Sequence, residues 1–372
     1  MVEWPAAPRA IHSRPVDPAP ANREAWAALS LRALPSTALV ALLRAFGGPE
    51  MILAATRAQL SAVVPDAIVA RMTAPLATDA LARAHAWLAE PGHHLIAWDD
   101  ADYPQALLEL GHAPPALYFV GRRELLNRSA LAIVGSRNAT PQGVDNARNF
   151  AHALSDAGLT IVSGLALGID AAAHEGALAG AGSTLAVVGT GLDRVYPARH
   201  RDLAHRIAER GGLVSEFPPG TPPREKNFPR RNRLISGLAQ GVLVVEAALG
   251  SGSLITARCA GEQGRDVFAI PGSIHSPLAK GCHKLIREGA KLVETAQHVL
   301  EELGMAAPLD PARAGPTSDS PLLAALSDDP ADVDTLVART GGTADAIAAE
   351  LTELEIAGIV ARIAGGQWQR RR

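Results

Sequence analysis

The residues best suited to chemistry lie in one run, Arg224-Glu225-Lys226-Asn227-Phe228-Pro229-Arg230-Arg231-Asn232-Arg233, with five cations and one carboxylate in ten positions. Pro229 stands just before a helical pattern through Leu234, Ile235 and Leu238, so it is expected at the first helical position. The cations then crowd the positive end of a helix dipole, which is unfavourable unless an anion is bound there. Phe228 adds a flat face on which a base can stack. Helical spacing puts Arg230 and Arg233 on one side and Arg231 on another, so one of the three is available for packing.

Four further segments offer anion chemistry through the backbone. They are Gly135-Ser136-Arg137-Asn138-Ala139-Thr140, Ser163-Gly164-Leu165-Ala166-Leu167-Gly168-Ile169-Asp170, Gly189-Thr190-Gly191-Leu192-Asp193 and Glu246-Ala247-Ala248-Leu249-Gly250-Ser251-Gly252-Ser253. Glycine lets a ligand approach the chain closely, and unpaired amides at a helix start favour anions. A phosphate-binding rim is the expectation. It is not a dinucleotide site: the first loop lacks G-x-G-x-x-G, and Arg194 falls where Gly189-Thr190-Gly191 would need its last glycine. No acidic residue ends the second strand to hold a ribose, and no Walker phosphate loop occurs, so no cofactor is expected.

An enzyme is the alternative. Rossmann-like folds that cleave nucleotide N-glycosidic bonds also use glycine-rich rims, and Glu246 stands where a general acid or base could act. The Gly-Gly-x-Gly-Thr-x-x-Glu pattern of such nucleoside-monophosphate phosphoribohydrolases is absent, because Glu246 precedes its glycines. No catalytic residue is assigned. His174 follows Asp170 by one helical turn, and without a nucleophile or metal set beside them a structural hydrogen bond is expected. His275, Cys282 and His283 lack a fourth ligand and regular spacing, so no metal site is expected.

The elements that must position these loops follow from the apolar pattern. Short runs at Leu131–Val134, Thr160–Val162, Leu185–Val188, Leu213–Val214, Val242–Val245, Val267–Ile270 and Lys291–Val293 alternate with helical stretches. Unbroken apolar strands are buried on both faces, which requires helices above and below. The fold class is therefore α/β: a Rossmann-like, doubly wound, mostly parallel sheet over residues 131–304. Before it come a disordered Pro/Ala-rich lead (1–22), a small helical domain (23–90) resembling a SAM or helix-hairpin-helix unit in outline, and a connector (91–130). After it come a linker (305–320) and three helical patterns with a Gly365-Gly366 hairpin (321–372), a winged-helix pattern that serves DNA and proteins alike. The closing Arg370-Arg371-Arg372 suits either a phosphate or solvent.

Composition narrows the function classes. The net charge of -3 at pH 7 excludes a uniformly basic coat for nucleic acid, so any phosphate binding must be local. Aromatic residues are 4% of the chain, so stacking must rest on very few rings. Cys259 and Cys282 supply no disulfide framework. The start carries no signal-peptide pattern, and no apolar run reaches the roughly 20 residues of a membrane span, so a reduced cytoplasmic protein with no membrane contact is expected.

Taken together and in order, the loops resemble the bacterial DNA-processing protein A (DprA/Smf) family. The match rests on Ile133-Val134-Gly135-Ser136-Arg137, Ser163 through His174, Phe228-Pro229-Arg230-Arg231-Asn232-Arg233-Leu234-Ile235-Ser236-Gly237-Leu238, Glu246 through Ala257, and Arg265 through Gly272. The resemblance implies a single-stranded-DNA-binding recombination mediator that loads RecA, as in natural transformation, and dimerises through its Rossmann-like domain. It implies that Gly135, Ser136 and Arg137 hold phosphate with Ser163, Gly164 and Gly168 beside them. Phe228, Asn232 and Arg233 would line the strand's path, and Lys226, Arg230, Arg231, Ser251, Gly252 and Ser253 are further candidate DNA-binding residues. The chain has only four lysines (226, 280, 284 and 291), so arginine must carry most phosphate contacts.

Overall fold

The computed structural model describes residues 20–111, 113–305, 320–326, 330–363 and 365–370. Most of the lead and of the linker, and the last two arginines, lie outside these residues. The first helix, Pro20–Leu31, already begins inside the stretch expected as a disordered lead.

Nine strands form one sheet: β1 (His93–Ala97), β2 (Ala116–Gly121), β3 (Ala130–Val134), β4 (Thr160–Ser163), β5 (Thr184–Val187), β6 (Gly212–Ser215), β7 (Gly241–Val244), β8 (Asp266–Ala269) and β9 (Lys291–Leu292). Their order is β1-β2-β6-β5-β4-β3-β7-β8-β9. From β6 to β9 every pair is parallel. Alternation along each strand separates two cores. Ala132, Val134, Val162, Val242 and Val244 face the helices Asn227–Gly237 and Ser253–Glu262. Leu131, Ile133, Ile161 and Leu243 face Pro141–Asp156 and Ile169–Ala177. The helix after β3 thus covers one face and the helix after β7 the other. Between these adjacent strands the winding reverses, which opens a crevice at their carboxyl ends.

Residues 91–130 do more than connect. β1 and β2 pair antiparallel, and β2 pairs antiparallel with β6, so this stretch extends the main sheet. The two strands are joined by a long segment rather than a tight Gly turn, so no hairpin signature marks them in the sequence. Leu117 and Phe119 point into the core shared with the parallel strands. Ala116 and Tyr118, on the opposite face, join Trp26, Leu29, Leu39, Leu42 and Trp87 of the helical domain. Polar contacts fix the seam: Trp26 Nε1 donates to Asp99 Oδ2 at 3.0 Å, and Ser30 Oγ lies 2.8 Å from the Tyr118 hydroxyl. One hairpin therefore belongs to two cores and holds the helical domain against the sheet.

At the carboxyl end, Pro321–Leu326, Val333–Thr340 and Ala344–Ile356 pack under the hairpin β10 (Val360–Arg362) and β11 (Trp368–Arg370), as the winged-helix pattern requires. Gln369 Nε2 donates to Gln142 Oε1 at 2.8 Å, which ties this unit to the helix after β3. Among the described residues, no helix is long and apolar enough to cross a membrane.

Phe119 is fully buried, and β6 leaves room for its ring because Gly212 carries no side chain. Phe119→Ala is expected to cost about 3–5 kcal/mol in urea unfolding. A residue in a mere connector would show almost no change.

Candidate nucleic-acid interface

The loops after β3 and β4 meet at the switch point because glycines allow it. A Cβ at Gly135 would lie 2.6 Å from Ile169 Cγ1 and 2.9 Å from the Glu246 carbonyl oxygen. Gly168 has φ +72 and its Cα sits against the Ser136 and Arg137 carbonyls, a left-handed conformation and a close approach that favour glycine. The Ile169 amide then donates to the Ser136 carbonyl at 3.2 Å, and the Asn138 amide donates to Ser136 Oγ at 3.1 Å. Ser136 is thereby held on the rim, while Arg137 beside it is exposed.

Arg137 reaches toward an aromatic platform. Its guanidinium carbon is 5.8 Å from the centre of the Phe228 ring, a cation–π distance. Phe228 lies over Gly189, where a Cβ would come within 3.0 Å of the ring. The Tyr196 ring, 46% exposed, stands 5.6 Å away and tilted by 36°. Asn227 Nδ2 donates to the Gly189 carbonyl at 3.0 Å and locks the start of the helix onto the third loop. On the other side, Asn232 Nδ2 reaches the Gly252 carbonyl at 3.3 Å, and Ser251 Oγ lies 2.7 Å from Ser253 Oγ at the start of the helix after β7. Arg137 and Tyr196 are exposed, Phe228 and Ser251 are half-buried, and Ser253 is buried.

The helix Asn227–Gly237 differs from expectation in register and in charge. It starts at Asn227 with Lys226 as N-cap, so Pro229 is its third residue. Proline is tolerated there because first-turn amides have no intrahelical acceptor. The crowded cations are answered from within the protein. Glu216, whose side chain is 1% exposed, takes Arg230 at 2.8 Å and Arg233 at 2.6 Å on one carboxylate oxygen. An external anion is therefore not required to offset the dipole, contrary to the expectation from the isolated run.

Arg231 is the inward member. It is buried, its guanidinium fills the space above Gly164 where a Cβ would fall, and across that space stands the Asp170 carboxylate. Asp170 Oδ2 accepts the amides of Gly164 and Ala166 at 3.1 and 3.3 Å. Burial raises its pKa despite the nearby Arg231 charge, and burial lowers Arg231 to about 10. Arg231 Nε is buried with no hydrogen-bond partner among the described residues. Ser163 and Gly164 are also inside: Ser163 Oγ donates to the Ile133 carbonyl at 2.7 Å. These three support the rim from below, whereas Gly135, Ser136, Gly168, Arg137, Lys226, Phe228, Arg230, Asn232, Arg233, Ser251, Gly252 and Ser253 surround it.

The remaining titratable groups are accounted for structurally. Glu246 accepts Thr140 Oγ1 at 2.6 Å and the Thr140 amide at 2.9 Å, which anchors the cap of the helix after β3. Burial raises its pKa. His174 does not pair with Asp170. Its Nδ1 lies 2.7 Å from Thr184 Oγ1, which itself donates to the Ile161 carbonyl, so Nδ1 carries the proton; Nε2 accepts the Leu165 amide at 3.3 Å. Among the described residues, no group of three or more His, Cys, Asp or Glu is placed to hold a metal ion. His283 Nε2 bonds the Gly272 carbonyl at 2.9 Å, and the buried Cys282 thiol contacts the Val244 and Val245 carbonyls. Tyr196 and Glu216 are the two rim residues that sequence reasoning missed. Scarcity of aromatic residues was a usable signal for Tyr196, which closely follows the third loop, but no spacing marks Glu216.

Most of the chain is similar to known proteins. Residues 94–304 match the family model for DNA recombination-mediator protein A, and residues 305–366 match that for the DprA winged helix domain. The chain is similar to protein Smf of Escherichia coli, with 46% identity over 77% of this chain and 80% of that protein. It is also similar to DNA processing protein DprA of Streptococcus pneumoniae, 49% identical over 55% of this chain and 72% of that one. The crystal structure of the Streptococcus pneumoniae protein superposes with a TM-score of 0.66, covering 76% of this chain and 97% of that chain. DNA processing protein A of Helicobacter pylori, whose structure is described for its single-stranded DNA binding mode, superposes with a TM-score of 0.51 at 32% identity, over 54% of this chain and 92% of that chain.

Burial lowers the His174 pKa to about 3 from its ordinary 6.5, with the His200 and Arg231 charges adding to the shift. The unfolded chain therefore takes up a proton that the folded chain refuses. Stability from this group is complete above pH 6.5 and is lost as pH falls toward 3. Urea unfolding should lose about 1.4 kcal/mol per pH unit from this group, and His174→Gln should remove that slope. Equal slopes in the two proteins between about pH 6 and 5 would contradict it.

Proposed function

This chain belongs to the DNA recombination-mediator protein A (DprA/Smf) family, and from that premise we propose that it binds single-stranded DNA along the rim and delivers the strand to RecA. One observation carries the proposal: Arg137, Phe228 and Tyr196 form a cation beside a two-ring platform at the carboxyl ends of the strands. A phosphate meets Arg137 and the Ser136 loop while the attached base meets a ring, which suits any base because every base has a π face. Lys226 and Asn232 extend the track to either side, and Ser251, Gly252 and Ser253 form its far bank. Arg231 supplies positive potential from beneath the rim.

The activity proposed is binding, not catalysis. Both Glu246 oxygens already accept from Thr140, so no observation favours the phosphoribohydrolase alternative. We further propose a cytoplasmic protein that acts in recombination of incoming DNA. It would dimerise through the Rossmann-like domain at the β9 end of the sheet, where Leu292 is exposed on the last strand. No cofactor enters the proposal.

The test is anisotropy of labelled oligo-dT and a matched duplex across a salt series. Single strands should bind more tightly than duplex, with affinity falling steeply as salt rises. Arg137→Ala should flatten the slope of log affinity against log salt by about 0.7, one phosphate's share on a single strand. Phe228→Ala should cost about 1–3 kcal/mol, roughly a 5- to 150-fold loss of affinity. Equal affinity for duplex, or indifference to salt, would remove the proposal. Delivery to RecA is checked by the lag of RecA assembly on the same oligonucleotide, which the protein should shorten.

A further inference from the structure

We propose that the strand's path continues off the rim into a second phosphate-binding pocket, built between the helical domain and the helix Asn227–Gly237. This rests on the single-strand reading above. The pocket is an open cavity of about 520 Å³, lined on one side by Arg230 and Arg233 and on the other by Ser36, Thr37 and Arg71. Ala33, Leu34 and Pro35 complete its lining.

Three features of the pocket select for a phosphate. The first is surplus charge: three arginines face the cavity, and the carboxylate paired with two of them, Glu216, takes both on a single oxygen. A guanidinium carries five N–H donors in a fixed fork, so such sharing leaves the half-exposed Arg230 with donors to spare for an anion. The second is preorganisation. Arg71 is tied to the Arg32 and Ala33 carbonyls, and Arg32 is tied back to the Arg71 and Ala74 carbonyls. Arg230 is held over the Phe217 ring at 5.3 Å. The third is the wall itself: Ser36 and Thr37 line the cavity across from Arg230 and Arg233, and they open the helix Ser36–Phe46, whose first turn is capped by no side chain.

Continuity with the rim favours a strand over a free anion. Arg230 and Arg233, one turn apart, share a face of the helix whose first turn also carries Phe228. A strand stacked on Phe228 that turns toward the helical domain meets Arg230 at the pocket's edge, then Arg71 on the far wall. The helical domain is fastened to the β1–β2 hairpin by Trp26 and Ser30, so that wall is part of the folded body. Single-strand recognition here is shared between two domains, and the footprint is longer than the rim.

The decisive variants are Ser36→Asp and Arg71→Ala in the full chain. An acidic residue in the first turn of a helix suits its dipole, so Ser36→Asp should fold at least as stably as wild type while placing a carboxylate in the pocket. Binding is compared for oligo-dT of about six and about twenty nucleotides, one confined to the rim and one able to reach both sites. Both variants should weaken the longer oligonucleotide several-fold, flatten its salt slope by about 0.7 for each phosphate no longer neutralised, and leave the shorter one unchanged. Unchanged long-oligonucleotide binding in both variants would overturn the inference, as would equal losses at both lengths. Pyrophosphate binding that Ser36→Asp abolishes while long-strand binding persists would also overturn it, by making the ligand a free diphosphate. Wild-type protein that binds neither oligonucleotide would instead remove the single-strand reading itself.

Discussion

A helix with three arginines in its first two turns can pack on a sheet only if its charge is answered at close range, and the whole rim depends on how that is done. Glu216, carried at the exit of β6, takes Arg230 and Arg233. Asp170, at the start of the helix after β4, faces Arg231 across the empty side of Gly164. A buried charge without such a partner would cost several kcal/mol. The two carboxylates come from different strands' loops, so charge compensation also sets where those loops sit. Asp170 in particular uses its oxygen on the Gly164 and Ala166 amides, and that bonding shapes the second loop. The electrostatics of one helix thereby organises the surface around it.

Backbone proximity does the rest. At the switch between β3 and β7 the chain leaves in opposite directions, and the loops can close over the crevice only where side chains are missing. Gly135 lies against Ile169 and the Glu246 carbonyl, and Gly168 against two carbonyls of the first loop. These contacts hold Ser136 on the rim and leave Arg137 exposed beside Phe228. Glu246 contributes by anchoring Thr140, the cap of the helix after β3. A carboxylate at a strand end, which in isolation suggests a general acid or base, here holds the geometry of the candidate interface.

Much of this was legible in the sequence because the parallel strands are apolar on both faces. Runs such as Ile133-Val134 and Leu243-Val244 cannot face water, so their places in a covered sheet follow from composition alone. The antiparallel pair β1 and β2 was not legible. It is joined by a long segment that lacks turn chemistry, and its two faces serve different cores. The division of labour in Arg230-Arg231-Asn232-Arg233 could be half read: helical spacing separates Arg231 from its neighbours, but no spacing announces that Glu216 waits for the other two. The register of Pro229 was misplaced because Asn227 already begins the helix by holding the Gly189 carbonyl, a tertiary contact invisible to local rules.

The balance of buried and exposed charge also explains how a chain of net charge -3 can suit a polyanion. A uniformly basic surface attracts nucleic acid from a distance but fixes no path. Here each arginine of the helix is partly cancelled by a carboxylate a few ångströms away, so its field at one Debye length, about 8 Å at physiological salt, is weak. At contact the cancellation fails, because a phosphate oxygen can reach guanidinium donors that the buried carboxylates cannot. In the proposed interface, attraction is thus concentrated where a backbone and a base would fit together, along Arg137, Phe228 and Tyr196. Duplex DNA stacks its bases inward and offers nothing to the rings. The proposed preference for single strands would follow from this coupling of short-range charge to an aromatic face, and needs no recognition of sequence.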